Sequence, residues 1–127
     1  MAEGAQILVV EDNEKNMKLF RDVLHASGYR TLAAETGERA VELVFEHRPD
    51  LVLMDIQLPD IDGVEVLARL RGDERTASLA VLALTAQAMH GDRERFLAAG
   101  FDGYLSKPVN IVELVDAVRE HCEGVHL

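Results

Sequence analysis

Leu51-Val52-Leu53-Met54-Asp55-Ile56-Gln57-Leu58-Pro59 opens as an apolar strand and ends in an acid and a turn. Residues 51–54 are apolar in succession, as expected of a strand buried on both faces, and the run stops at Asp55. Pro59 and the Asp60-Ile61-Asp62-Gly63 cluster prevent the strand from continuing. Asp55 is therefore expected at a strand's carboxyl end beside a loop, which in parallel α/β sheets is where ligands bind.

The same grammar repeats on both sides of this stretch. Residues 6–10 form a buried-type strand running into Glu11-Asp12, followed from Asn16 by a helix whose stripe is Leu19, Phe20, Val23 and Leu24, stopping at Ser27-Gly28. Residues 29–33 make a second strand. Thr36 is a plausible N-cap for a helix carrying Ala40, Val41, Val44 and Phe45, which Pro49 ends. After the third strand, 50–54, a third helix shows Val64, Leu67 and Leu70. Strand 80–84 terminates at Thr85, a fourth helix spans about 91–99, and strand 102–105 leads to Ser106-Lys107-Pro108. Asn110 and Glu113 read as a capping box for a last helix striped by Ile111, Leu114, Val115 and Val118. Residues 1–5 are expected to fray.

Alternating strands and helices with doubly apolar strands imply a three-layer α/β/α domain, with a five-stranded parallel sheet in the order 2-1-3-4-5. At 127 residues the chain is expected to be one domain, 1–127, without an output domain, hiding roughly two-thirds of its unfolded surface. Cys122 is the lone cysteine, so no internal bridge can form, and a reducing cytoplasm is the expected compartment. No run approaches the roughly 20 apolar residues that cross a membrane. A formal net charge of −10 opposes binding to phosphate backbones, so neither nucleic acid nor membrane is expected as a partner. The five histidines lack metal-ligand spacing.

In such a sheet Glu11-Asp12, Asp55, Thr85 and Lys107 end four strands on one rim. At an effective dielectric of about 20, two carboxylates about 5 Å apart repel by roughly 3 kcal/mol. A divalent cation with oxygen ligands reconciles the cluster, and few carboxylates plus water suit Mg²⁺. Asp12 and Asp55 would ligate it directly, the Gln57 backbone carbonyl would join them, and Glu11 would act through water. Asp55 could then attack a phosphoryl group that Lys107 and Thr85 help to hold.

Val9-Val10-Glu11-Asp12-Asn13, Leu53-Met54-Asp55-Ile56-Gln57-Leu58-Pro59, Leu84-Thr85-Ala86 and Tyr104-Leu105-Ser106-Lys107-Pro108 together resemble the receiver domain of two-component response regulators, a flavodoxin-like fold. The likeness spans essentially the whole chain. The stretch from Glu11 to Phe20 is similar to stand-alone cell-fate regulators of the DivK type. The resemblance implies that Asp55 accepts a phosphoryl group from a phosphohistidine on a histidine kinase or histidine phosphotransferase. It implies a Thr85–Tyr104 switch pair, a phosphoryl-binding Lys107 and a cis peptide before Pro108. Glu11 stands where many members carry Asp. Output is expected through contacts of the fourth helix, fifth strand and fifth helix with a protein target, from a monomer that could dimerise when phosphorylated. The chain would be a phosphoacceptor rather than a turnover enzyme, catalysing only its own phosphoryl transfer and slow dephosphorylation.

Singly, these residues have plainer readings: a solvated helix start for Glu11-Asp12, a turn acid for Asp55, a surface amine for Lys107. Tyr104 is equally a packing residue, and its switch role follows from the resemblance alone. Asn16, Met17 and Phe20, with Pro108 and Val109, are read as the surface that docks the phosphodonor's helix. Gln57 and Gln87 would border the path of the hydrolytic water. Two rivals stand beside this reading. An aspartate-dependent phosphatase would need a second acid two residues after its nucleophile, for which Asp12 and Glu14 are a poor imitation; a receiver-shaped binding module would never be phosphorylated.

Overall fold

The structure is a computed structural model, and it describes residues 4–86 and 92–123, with the side chains of 92, 93 and 123 left aside. Its elements in chain order are β1 (Gln6–Val10), α1 (Glu14–Ala26), β2 (Arg30–Ala34), α2 (Gly37–His47), β3 (Leu51–Asp55), α3 (Gly63–Arg71), β4 (Ala80–Thr85), α4 (Asp92–Ala99), β5 (Gly103–Ser106) and α5 (Ile111–Glu123). The strands pair in parallel in the order β2-β1-β3-β4-β5, as expected. Position 91, where the fourth helix was expected to begin, and Gln87 lie outside the described residues.

Side chains of a strand alternate between faces, and here the alternation sorts the core into two layers. Ile7, Val9, Leu51, Leu53, Leu82 and Leu84 pack with Phe20 and Leu24 of α1 and Leu114 and Val118 of α5. Leu8, Val10, Val52, Met54, Val81 and Ala83 pack on the other side with residues of α2 and α3 and with Phe96 of α4. A central strand must therefore be apolar at every position, which is why β3 reads as an unbroken run.

Helix starts follow local chemistry. Asn13 caps α1 by accepting from the Asn16 amide at 3.0 Å, so the helix begins two residues before the expected start. Thr36 Oγ1 accepts from the Arg39 amide at 3.1 Å, and Asn110 Oδ1 accepts from the Val112 and Glu113 amides at 2.9 and 3.1 Å. Such caps contribute about 1 kcal/mol each. Gly4 and Ala5, expected to fray, are tied to the β2 entry: the Gly4 amide donates to Gly28 O and Ala5 O accepts from the Arg30 amide.

Three stripe residues face water instead of the core: Leu19 is 41% exposed, Val64 37% and Ile111 48%. Each stands one residue from the true inward position or in a helix's first turn. At α3 the inward residue is Gly63, where an added Cβ would stand 2.6 Å from the Asp55 carbonyl oxygen. That glycine lets α3 start directly against the end of β3, closing the loop that follows Asp55.

Candidate functional site

Strand order reverses between β1 and β3, and the crevice beyond their carboxyl ends is the binding position that this topology predicts. Val10 lies beside Met54 in the parallel register. The next residues on each strand, Glu11 and Asp55, are thus neighbours on the α1/α5 side, following the parity of Val9 and Leu53. Both are buried, Glu11 to 1% exposure and Asp55 to 4%. Asp12 is exposed at the mouth. One carboxylate oxygen from each of the three lies within 4.8 Å of the other two.

Lys107 arrives from two strands away, a backbone separation of roughly 10 Å that only a long side chain can cover. It follows Leu105, whose side chain is in the α1/α5 layer. Its backbone N–H donates to Thr85 O at 2.8 Å, fixing the end of β5 to β4. The Lys107–Pro108 peptide is cis. Nζ donates to Glu11 Oε1 at 2.6 Å and to Asp55 Oδ2 at 3.1 Å. Burial works against the ammonium charge, but the two carboxylate partners outweigh it and hold the Lys107 pKa above its ordinary value. The remaining oxygens are also engaged: Glu11 Oε2 accepts from the Asn13 amide at 3.2 Å and Asp55 Oδ1 from the Gln57 amide at 3.1 Å.

Three carboxylates against one ammonium leave two uncompensated negative charges in a cleft of about 370 Å³, walled by Glu11, Asp12, Asp55, Lys107, Ala86 and the Gln57–Pro59 segment among others. Hard oxygen donors clustered at this separation fit a divalent cation such as Mg²⁺, and none of the described residues lining the cleft offers a soft ligand that would favour zinc. Glu14, the second acid a phosphatase would want, is exposed on the first turn of α1 and is not among the described residues lining this cleft.

Thr85 is buried on β4 and belongs by parity to the other face, with Val81 and Ala83; Ala86 lines the cleft instead. Tyr104 is half-buried on that same face, its ring tilted against Phe96 at 6.2 Å between centroids, and Phe96 meets Phe101 edge-on. The two expected switch residues thus share the α4 side of the sheet.

The docking surface needs one correction. Phe20 is 2% exposed and sits in the core with Leu24, Leu53 and Leu114, so it cannot meet a partner. It occupies the inward position of α1, four residues before Leu24, where the helix must bury its largest group. Asn16 and Met17 are half-exposed, Val109 is half-buried against the same core layer as Met17, and Pro108 is exposed. Ile111 and Val112 at the start of α5 are exposed apolar residues beside Pro108 and Val109 that the sequence reading assigned to the core or passed over.

Fold and site together define a receiver-class signalling domain. Residues 7–119 match the family model of the response regulator receiver domain, and the chain belongs to that family. It is 46% identical over 115 residues to the polar-differentiation response regulator DivK of Brucella anthropi, covering 91% of this chain and 94% of that one, with the same figures for DivK of Brucella ovis. A putative response regulator from Chloroflexus aurantiacus superposes with a TM-score of 0.89 at 32% identity, over 94% of this chain and 98% of that one. The receiver domain of the sensor histidine kinase PA1611 from Pseudomonas aeruginosa, solved with a magnesium ion coordinated in its active site cleft, superposes with a TM-score of 0.87 at 37% identity, over 94% and 98% of the two chains. Among the described residues no helix is long and apolar enough to cross a membrane.

Proposed function

We propose that the chain is a stand-alone response regulator of a two-component phosphorelay, a single domain over 1–127, switched by Mg²⁺-dependent phosphorylation of Asp55. The observation that carries the reading is Lys107 Nζ bridging Glu11 and Asp55, with Asp12 close by. The chain's coverage of 94% of the DivK relative supports the stand-alone form.

Asp12, Asp55 and the Gln57 carbonyl would hold the ion, with Glu11 acting through water. When bound, it supplies the positive charge that offsets the two uncompensated carboxylates and the phosphoryl oxygens. One Asp55 carboxylate oxygen attacks the phosphorus of a phosphohistidine on a histidine kinase or phosphotransferase. A P–O bond forms, the P–N bond breaks, and the leaving imidazole nitrogen keeps the electron pair and takes up a proton. Lys107 then exchanges its hold on the Asp55 carboxylate for the phosphoryl group, and Thr85 moves toward that group from the other face of β4 and donates to it. Tyr104 follows Thr85 inward on the shared face. Slow hydrolysis of the acyl phosphate, with water reaching it past Gln57, resets the protein.

Output leaves through contacts of α4, β5 and α5 with a protein target, as a shift between two conformations. The donor docks on Asn16, Met17, Pro108 and Val109, extended by the exposed Ile111 and Val112. The protein works in the cytoplasm as a monomer that can dimerise when phosphorylated. Incubation with acetyl phosphate and Mg²⁺ tests the core of this reading: mass spectrometry should show one added phosphoryl group, absent without Mg²⁺ and absent in Asp55→Asn. Labelling that persists in Asp55→Asn would overturn it.

A further inference from the structure

The loop between β3 and α3 is anchored at its start, where the Ile56 amide donates to Leu84 O at 3.1 Å and Ile56 O accepts from the Gly63 amide at 2.9 Å. Its far end is anchored on a different element. Asp60 turns both carboxylate oxygens to the first turn of α2, Oδ1 accepting from the Gly37 amide at 2.8 Å and Oδ2 from the Glu38 amide at 2.9 Å. The next residue, Ile61, presses so closely on Gly37 that an added Cβ there would stand 2.5 Å from Ile61 Cγ1. Between the two anchors lie only Gln57, Leu58 and Pro59, and all three wall the acidic cleft.

We propose that Asp60 is a positioning residue for the cation site: by clamping the loop to the start of α2 it sets where the Gln57 backbone stands relative to Asp55 and Asp12. This rests on the cleft being the Mg²⁺ site. The Glu38 and Gly37 amides hold the Asp60 carboxyl down at about 2, so the clamp keeps its charge well into acid solution. A carboxylate at a helix start is also complemented by the helix dipole.

Capping α2 and positioning the loop are separable, since Thr36 caps the helix through the Arg39 amide while Asp60 binds it from the loop. The experiment titrates the wild-type chain, Asp60→Ala, Asp60→Glu and Thr36→Ala with MgCl₂ by calorimetry, where circular dichroism shows each folded. Amide hydrogen exchange at Gln57 and Leu58 is followed in the metal-free proteins. Asp60→Ala should weaken Mg²⁺ binding roughly tenfold, the lower end of what losing an outer-shell partner costs, and should speed exchange at Gln57 and Leu58. Asp60→Glu should restore part of both, and Thr36→Ala should lower the melting temperature while changing neither. Equal Mg²⁺ affinity and exchange in Asp60→Ala and wild type would overturn the proposal, as would losses in Thr36→Ala as large as those in Asp60→Ala. If wild type bound no Mg²⁺ while exchange still rose in Asp60→Ala alone, the metal reading would fall and the clamp would stand.

Discussion

On the α1/α5 side of the sheet, the strand residues Val9, Leu53 and Leu105 lead outward to Glu11, Asp55 and Lys107. On the α2–α4 side, Val81 and Ala83 lead to Thr85, with Tyr104 one strand over and Phe96 and Phe101 behind it. Both layers are buried at the centre, and they differ where the strands end. One collects charge: two buried carboxylates and an ammonium in direct contact. The other collects a hydroxyl and aromatic rings, groups that change position at little electrostatic cost. The difference teaches that period-two alternation separates where a charge would be altered from where the alteration would be read, although both sit on adjacent strands.

The two sides should respond differently to substitution, most strongly at the core of the charged side. Phe20→Ala should cost about 3–5 kcal/mol of stability in urea melts, as truncation of a buried Phe does, whereas Leu19→Ala one residue away should cost under about 1 kcal/mol. Met17→Ala should leave acetyl phosphate labelling intact while slowing transfer from the cognate donor. Equal loss in both assays would remove the docking role from α1.

Next in size is Lys107→Met. It leaves Glu11 and Asp55 buried without their cation and should lower stability by about 3 kcal/mol, with millimolar Mg²⁺ restoring part of the loss. Because the folded Lys107 pKa is raised above that of the unfolded chain, its contribution is fully present below the ordinary lysine value near 10.5 and is lost as pH climbs through the folded value. The wild type should therefore lose stability in strongly alkaline solution more steeply than Lys107→Met. An unchanged alkaline limb in the variant would mean that the bridge contributes nothing.

The smallest effect belongs to the uncharged side. Tyr104→Ala removes a half-exposed ring that touches Phe96 and should cost about 1–2 kcal/mol. Asp55 labelling should proceed at its normal rate, but the phosphorylation-dependent change in hydrogen exchange over α4 and β5 should shrink. Slower labelling would show that the two sides are not independent.

Much of this was readable before any coordinates. Apolar runs of four or five residues can be buried strands, each here ends in a polar group, and parallel connectivity puts those ends on one rim. Thr36 and Asn110 were legible as caps because a cap bonds within three residues of itself. Phe20 and Leu19 were not separable, since a helical stripe two residues wide has an inner and an outer edge that only the packed neighbour distinguishes. The exposed apolar start of α5 was hidden for the same reason: the first turn of a helix has nothing below it to bury against.

Local pattern by itself determined the elements, their parity and the identity of the acids, hydroxyl and amine, because these depend on neighbours a few residues apart. The tertiary structure alone decided which groups touch. Lys107 reaches past β4 to Asp55 and past β4 and β3 to Glu11, and Asp60 closes a bond across 23 positions to Gly37. Such contacts depend on how far apart two segments lie once the sheet is assembled, a distance that no stretch of the chain carries within itself.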